Sequence, residues 1–313
     1  MSELKWPGIL TYLRARRPAL NTRRGKCAFP MPSLPPIVLS FAASDPTGGA
    51  GVQADLLTLA SMGCHPLSVI TALTVQDTRG VDDLLAIDSD WVVDQARKLL
   101  EDMPVAAFKL GVLGSVENIT AIAEILADYP DVPVILDPVL ASGRGDALAS
   151  EDMINVLREL IIPQTTVLTP NSMEARRLTE EEDDEDDPAL DECASRLISL
   201  GCEYVLITGT HENTPEVINT LYGEEGVIRS DRWKRLPGSF HGSGCTLASA
   251  IAATMANGLD VPEAVREAQE YTWQALAHGF RPGMGQHLPD RFFWAREVDS
   301  ESGEGHDNGR EDS

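Results

Sequence analysis

The stretch "IVLSFAASDPTGGAGVQADL", residues 37–56, contains the unit from which the chain is built. An apolar, β-branched run passes through a glycine-rich turn into helical apolar spacing, which predicts a strand leading directly into a helix. Glycines in such a turn let the backbone approach a ligand closely, although tight packing alone also explains them. The turn contains neither GxxxxGK[ST] nor GxGxxG, so neither a P-loop nucleotide hydrolase nor a dinucleotide-binding fold is supported.

The same alternation continues along the chain. Further short apolar runs, separated by helical patterns, occupy residues 66–73, 106–113, 132–137, 165–169 and 203–208. Repeated strand–helix units predict an α/β protein with a mostly parallel sheet and helices on both of its faces. Residues 216–233 depart from this pattern, because they alternate about "GEEG" and predict a β-hairpin.

The two ends of the chain differ in composition from its middle. Residues 1–36 carry seven Lys and Arg against one acidic residue, with no core-forming periodicity, and predict a flexible basic extension. Two explanations stay open: an organelle transit peptide, or an over-long gene start with Met31 as the initiator. Residues 37–296 form the predicted folded domain, and residues 297–313 a disordered acidic tail. The acidic run 180–187 predicts a solvated loop.

Composition excludes several function classes. A formal net charge of −24 over 313 residues argues against nucleic-acid binding, which needs a cationic face, and favours a small-molecule partner. No apolar stretch approaches the roughly 18 residues of a membrane helix, and the first residues lack a secretory core. These two observations predict a cytoplasmic location. The five cysteines are an odd set without CxxC spacing, which favours reduced thiols.

The segment "HGSGCT", residues 241–246, places a cysteine at the start of an Ala-rich helix. Backbone N–H groups of the Gly-Ser-Gly-Cys turn and the positive end of the helix dipole together form a predicted anion hole. The dipole favours the thiolate of Cys245, so this side chain is a candidate proton acceptor. The alternative is that Cys245 is a small buried apolar residue.

Further candidates follow two predicted strands. Asn171 and Glu174 share one face of a helix's first turn, where they suit Mg²⁺ beside phosphate oxygens; alternatively, Glu174 is a capping acid. Asp137 ends an apolar run and either assists metal or phosphate binding or hydrogen-bonds the turn before Pro138. Arg144 lies in the loop that follows.

Taken in order, these segments resemble the ribokinase-like superfamily and, within it, the hydroxymethylpyrimidine/phosphomethylpyrimidine kinases of thiamine biosynthesis. The resemblance runs from about residue 37 to residue 294. Its carriers are "SDPTGGAGVQADLLTLASMGCHPLSVITALTVQDTRGV" (44–81), "KLGVLGS" (109–115), "ILDPVL" (135–140), "TPNSMEA" (169–175) and "HGSGCTLASAIA" (241–252). The resemblance implies a ribokinase-like three-layer sandwich, with residues 37–296 as the kinase domain.

The resemblance also implies a reaction. ATP, with Mg²⁺ as cofactor, phosphorylates 4-amino-5-hydroxymethyl-2-methylpyrimidine and then the resulting monophosphate, chemistry that depends chiefly on positioning and charge stabilisation. On this reading, Gly242, Ser243 and Gly244 supply the anion hole, and Cys245 stands where sugar-kinase relatives carry an aspartate base. A homodimer is expected from the resemblance alone.

The resemblance assigns the pyrimidine site to Gln76. The amide of this glutamine can donate to a ring nitrogen and accept from the 4-amino group. Ala50, Asp55, Thr74 and Val112 are expected to line the same pocket.

One segment departs from the family pattern. Many members read "KGGH" where this chain reads "TGTH", residues 208–211, so Thr208 replaces a lysine that would contact ATP phosphates. Asn171, Thr208 and Arg144 are the expected ATP and phosphate contacts, and Arg144 or Mg²⁺ would supply the missing charge. Two alternatives stay open: a pyridoxal kinase, or a non-catalytic sensor of a thiamine precursor. The role of His211 is left undecided.

Overall fold

The computed structural model describes residues 34–142, 145–180 and 187–296, which form one central sheet with helices on both of its faces. The expected basic extension up to residue 33, Arg144, residues 181–186 of the acidic run and the expected tail from residue 297 lie outside the described residues. The predicted three-layer α/β architecture is confirmed for the described part of the chain.

The sheet has nine strands among the described residues, in the order β3-β2-β1-β4-β5-β6-β7-β8-β9. The strands are β1 (Ile37–Ser44), β2 (His65–Gln76), β3 (Val81–Ala86), β4 (Val105–Leu110), β5 (Val134–Leu136), β6 (Val167–Leu168), β7 (Tyr204–Thr208), β8 (Glu216–Gly223) and β9 (Gly226–Lys234). Strand β1 pairs in parallel with β2 on one side and with β4 on the other, and the parallel pairing continues from β4 through β5 and β6 to β7. The pairings of β3, β8 and β9 are antiparallel, so the predicted hairpin is confirmed.

The helices of the described residues follow the predicted strand–helix alternation. They are α1 (Gly51–Ser61), α2 (Ser89–Asp102), α3 (Val116–Ala127), α4 (Glu151–Val156), α5 (Ser172–Thr179), α6 (Leu190–Ser199), α7 (Ser243–Ala256) and α8 (Val261–Ala277). A short π-helical turn, Leu157–Ile161, and two 3₁₀ turns, Ile162–Gln164 and Phe293–Ala295, complete the set.

The parallel strands β1 and β4 to β7 bury both of their faces, because successive side chains point to opposite sides of the sheet. In β1, Leu39 packs against the layer that contains α2 to α6, and Val38 packs against the layer of α1, α7 and α8. In β4, Phe108 packs against the layer that contains α2 to α6, and Ala107 packs against the layer of α1, α7 and α8. The continuous apolar runs of the sequence therefore fill two cores at once.

The carboxyl ends of the parallel strands meet at one edge of the sheet. The glycine-rich turn follows β1, Asp137 follows β5, and Thr208 ends β7 at this edge. Ligands of open parallel sheets bind beyond the carboxyl ends of the strands, so this edge is where a site is expected. Among the described residues, no helix combines the length and the apolar character that crossing a membrane needs.

Candidate active site

A cavity of about 490 Å³ opens at the carboxyl edge of the sheet. It brings together most of the residues that the sequence analysis singled out. These are Ala50, Thr74, Gln76, Val112, Asp137, Asn171, Glu174, Thr208, His211, Gly242, Ser243, Gly244 and Cys245. Arg144, the remaining predicted phosphate contact, lies outside the described residues.

Asp55 differs from the expectation, because it does not line the cavity. Its carboxylate is fully buried behind Lys109, whose Nζ lies 2.9 Å from Asp55 Oδ1. The hydroxyls of Ser40 and Ser249 also donate to Asp55, at 2.6 and 2.7 Å. Asp55 therefore acts on the cavity through Lys109, which does line it.

Lys109 is a cavity residue that the sequence analysis did not identify. Burial alone would lower its pKa, but the charges of Asp55, Cys245 and Asp137 raise it well above the ordinary value. Lys109 is therefore a permanent cation in a site that contains two further acidic groups. Its position inside the apolar run 106–113 hides it, because nothing local distinguishes it from a core residue.

The start of α7 has the geometry of an anion hole. Gly242 is the N-cap residue, in the left-handed region at φ 77°, and it has no side chain to accept from the first N–H groups of the helix. A Cβ at this position would lie 1.9 Å from the carbonyl oxygen of Gly49, so only glycine fits. The first N–H groups of α7 lack intrahelical acceptors and are available to an anion.

The protonation state of Cys245 differs from the expectation. Burial raises the pKa of this thiol to about 12; the charge of Lys109 opposes the rise, those of Asp137 and Asp55 add to it, and a hydrogen bond from the Gly51 N–H lowers it. The helix dipole does not outweigh the desolvation of the sulfur. Cys245 is therefore a neutral thiol in the ligand-free protein.

Asp137 lies beside Cys245 at the end of β5. Burial raises its pKa to about 6, the charge of Lys109 opposes this, and the Cys245 thiol is hydrogen-bonded to the carboxylate. Its Oδ2 atom is buried and accepts no hydrogen bond from the described residues. A buried carboxylate oxygen without a donor is a site where a cation would be stabilised.

Asn171 and Glu174 form a capping box at the start of α5. Asn171 Oδ1 accepts from the Glu174 N–H at 2.9 Å, and Glu174 Oε2 accepts from the Asn171 N–H at 2.9 Å. The capping interpretation of Glu174 is confirmed, and the pair also lines the cavity. Burial, reinforced by the charge of Asp137, raises the pKa of Glu174 to about 8.

These two carboxylates are compatible with a divalent cation. No group of three or more His, Cys, Asp or Glu side chains suited to hold a metal occurs in the described part of the chain. Mg²⁺ characteristically keeps several waters and takes one or two carboxylates together with substrate phosphates. Asp137, with its donor-free Oδ2, and the neighbouring Glu174 fit that donor set.

Gln76, at the carboxyl end of β2, is held by a short chain of hydrogen bonds. Its Nε2 donates to Thr74 Oγ1 at 2.7 Å, and Thr74 Oγ1 donates to the carbonyl of Ser44 at 2.9 Å. The carbonyl of Val112 is fixed by the hydroxyl of Thr71 at 2.5 Å. Hydrogen bonds thus hold the Gln76 amide, the Thr74 hydroxyl and the Val112 carbonyl in place.

An Asp45–His241 pair, which the sequence analysis missed, joins the glycine-rich turn to the anion hole. Asp45 Oδ2 lies 2.8 Å from His241 Nε2 and accepts from the Ala50 N–H at 2.7 Å. Burial alone would raise the pKa of Asp45, but these hydrogen bonds, with that of the Thr47 N–H, hold it below its usual value. An Asp before Pro in a glycine-rich turn was the available signal.

The region around Thr208 contains other cations. Arg235 donates to the carbonyls of Thr210, Glu212 and Thr214 and so holds the loop after β7 in place. Lys234 is exposed at the cavity and forms no ion pair with a described residue. Lys234 is therefore an exposed cation in the same cavity that Thr208 lines.

The chain is similar in sequence to known kinases. A family model described as phosphomethylpyrimidine kinase matches residues 45–290. The hydroxymethylpyrimidine/phosphomethylpyrimidine kinase of Streptomyces coelicolor is 40% identical over 259 residues, which cover 81% of this chain and 93% of that protein.

Solved structures agree with the fold. A pyridoxal kinase of Bacillus subtilis in complex with ADP superposes with a TM-score of 0.73 at 28% identity, over 83% of this chain and 99% of that one. A phosphomethylpyrimidine kinase of Clostridium difficile gives 0.66 at 33% identity, over 77% and 99% of the two chains. Backbone similarity alone does not separate the two kinds of kinase, whereas sequence identity is higher to the second.

Proposed function

Because the chain belongs to the phosphomethylpyrimidine kinase family, and is therefore a phosphotransferase of thiamine biosynthesis, we propose that the cavity at the carboxyl edge of the sheet carries out two successive reactions. The first transfers the γ-phosphoryl group of ATP to the hydroxymethyl group of 4-amino-5-hydroxymethyl-2-methylpyrimidine. The second transfers a phosphoryl group to the monophosphate that results.

One observation carries this proposal: the glycine-capped start of α7 and the Gln76 amide line the same cavity. An anion hole at one end and a hydrogen-bonding amide at the other suit an acceptor with a polar ring and a hydroxyl to be phosphorylated. Asp137 and Glu174 would hold Mg²⁺ between them and the phosphates. The metal supplies charge neutralisation for the transferring group.

The residues of the chain then act as follows. Gln76 orients the ring, while one of the two protons on the Gln76 amide nitrogen is donated to the Thr74 hydroxyl. The N–H groups of Ser243 and Gly244 receive the developing phosphoryl charge. Cys245 faces the acceptor hydroxyl. Its thiol first gives up its own proton to water, and the buried cation of Lys109 stabilises the resulting thiolate. The thiolate then takes the proton of the acceptor hydroxyl and returns to the neutral thiol.

On the nucleotide side, Asn171 and Thr208 contribute polar contacts, and Lys234 takes over the charge of the lysine that Thr208 replaces. The expected homodimer and cytoplasmic location are part of the same proposal and rest on the family resemblance.

The test is a coupled ADP-release assay with MgATP, with product masses determined for hydroxymethylpyrimidine, its monophosphate and pyridoxal. Turnover of both pyrimidines, with at least ten-fold lower kcat/KM on pyridoxal, supports the proposal. Preference for pyridoxal would instead support vitamin B6 phosphorylation, a candidate favoured by the TM-score of 0.73 to a pyridoxal kinase. Binding of hydroxymethylpyrimidine without turnover would indicate a sensor.

Two pairs of variants assign the residues. Cys245→Ala is expected to lower kcat on both pyrimidines by about 10²- to 10⁴-fold while leaving pyrimidine binding intact; Cys193→Ala, a buried thiol outside the cavity, is its control. Gln76→Ala is expected to weaken pyrimidine binding without weakening ATP binding, and Gln95→Ala on α2 controls for it. Native turnover in Cys245→Ala would remove the proton-accepting role.

A further inference from the structure

The last described segment of the chain packs against the loop that leads into the anion hole. The His241 N–H donates to the carbonyl of His287 at 2.9 Å, and the His287 N–H donates to the carbonyl of Ser239 at 2.9 Å. Residues 287–291 therefore support the entry to α7 from behind. This support ends in a buried arginine, Arg291, one residue past the end of the family match.

The Arg291 guanidinium reaches both loops of the site. Its Nη2 donates to the carbonyl of Gly49 at 2.6 Å and its Nη1 to the carbonyl of Gly48 at 3.4 Å, both in the glycine-rich turn. Its Nε donates to Thr246 Oγ1 at 3.2 Å, and that hydroxyl donates to the carbonyl of Gly242 at 2.7 Å. One side chain thus joins the turn after β1 to the N-cap of α7.

This arrangement is unusual for an arginine that is only 4% exposed. Buried arginines are commonly paired with carboxylates, but Arg291 forms no salt bridge within the described ranges and donates only to neutral oxygens. Three acceptors in fixed directions match the rigid donor geometry of a guanidinium, which an ammonium does not reproduce.

The two loops that Arg291 joins are expected to face the two reactants: the resemblance places the pyrimidine beside the first loop, and the proposed function places the transferred phosphoryl group at the second. Ala50, next to Gly49, belongs to the pyrimidine side, and Gly242 begins the anion hole. The loops are in direct contact at Gly49 and Gly242, because a Cβ on Gly242 would lie 1.9 Å from the Gly49 carbonyl oxygen. Their relative position sets the distance between the acceptor hydroxyl and the transferred phosphoryl group.

We propose that Arg291 is a positioning residue for phosphoryl transfer, whose guanidinium fixes the glycine-rich turn against the start of α7. The proposal rests on the assigned phosphotransfer reaction. It predicts an effect on kcat rather than on the binding of either substrate alone, since each loop keeps its own ligand contacts. Misplacement of reacting groups by about 1 Å is enough to lower rates about 100-fold.

The experiment compares Arg291→Met and Arg291→Lys with the native chain in steady-state assays on hydroxymethylpyrimidine, well below the melting temperature of each protein. Both variants are expected to lose about 10- to 100-fold in kcat with KM for ATP and pyrimidine within about three-fold of native. Tyr271→Phe is the matched control, because it removes a 2.8 Å hydrogen bond to the Arg291 carbonyl and leaves the guanidinium in place. It is expected to lower stability while retaining native kcat.

Thr246→Val provides a second measurement if Arg291→Met does not fold. This near-isosteric change removes the hydroxyl that accepts from Arg291 and donates to the Gly242 carbonyl. It is expected to lower kcat at unchanged KM. Native kcat in Arg291→Lys, or a loss in Tyr271→Phe equal to that in Arg291→Met, would overturn the positioning role. Absence of turnover by the native chain would instead refute the proposed function, so the two failures are distinguishable.

Discussion

Replacement of Lys109 by methionine tests the buried ion pair beneath the cavity. Lys109 and Asp55 are both fully buried, with Nζ 2.9 Å from Oδ1 and 3.0 Å from Oδ2. Methionine retains much of the length and apolar volume of lysine, so the change removes charge more than packing. The Asp55 carboxylate is left with the hydroxyls of Ser40 and Ser249 as its only donors among the described residues.

The expected loss follows from the charge that remains. Removing one partner of a buried ion pair lowers the free energy of unfolding by about 3–5 kcal/mol, because the other charge stays desolvated. The two serine hydrogen bonds do not offset this loss, since they are present before and after the change. Against a typical total of about 5–15 kcal/mol, Lys109→Met should be folded but clearly destabilised.

Urea unfolding followed by tryptophan fluorescence and far-ultraviolet circular dichroism measures this loss. A decrease of about 4 kcal/mol at a slope near 3 kcal/mol/M lowers the midpoint by about 1.3 M. The double variant Asp55→Asn/Lys109→Met should regain at least half of the lost stability, because the amide that replaces the Asp55 carboxylate carries no charge. A loss below about 1 kcal/mol in Lys109→Met, or no recovery in the double variant, would refute the reasoning.

The remaining predictions concern the residues around the anion hole. Burial raises the pKa of Asp137 from 3.8 to about 6, so its contribution to stability is complete below pH 3.8 and is lost as the pH rises through 6. Asp137→Asn should therefore match native stability at pH 4 and exceed it by about 3 kcal/mol at pH 8, measured by urea unfolding; an equal difference at both pH values would contradict this. Gly242→Ala should lower the melting temperature more than Gly226→Ala, because both sites have positive φ but only Gly242 has a neighbouring carbonyl 1.9 Å from the added Cβ. Cys245, with its pKa near 12, should react with iodoacetamide at pH 7.5 at least about 100-fold more slowly than free cysteine, measured by peptide mass spectrometry, and rapid labelling would show that the dipole does dominate.

The layered architecture was predictable from the sequence because buried parallel strands leave continuous apolar runs. The same rule located Asp137, since a residue that follows such a run lies at the carboxyl edge of the sheet. Thr208 was singled out in another way, by its departure from the family pattern. The hairpin of β8 and β9 was predictable because residues 216–233 alternate between apolar and polar side chains on either side of "GEEG", residues 223–226. Strand β3 was not, because its "VDDLLA" sequence, residues 81–86, lacks a clear period of two.

Other parts of the site had no local signal. Lys109 sits in an apolar run and is explained only by Asp55, 54 residues away in sequence. The family resemblance assigned Asp55 to the pocket, yet its position on α1 directs its side chain into the core. The protonation of Cys245 also depends on burial, which the helix-start pattern does not report.

The hydrogen bond from Arg291 to Gly49 spans 242 residues of sequence and has a consequence for synthesis on the ribosome. The glycine-rich turn leaves the ribosome early, whereas the side chain that fixes it against α7 is translated near the end of the described chain. At about 5–20 residues per second, the two are made roughly 12 to 50 seconds apart. A nascent chain can therefore complete most of its sheet before Arg291 links the glycine-rich turn to the start of α7.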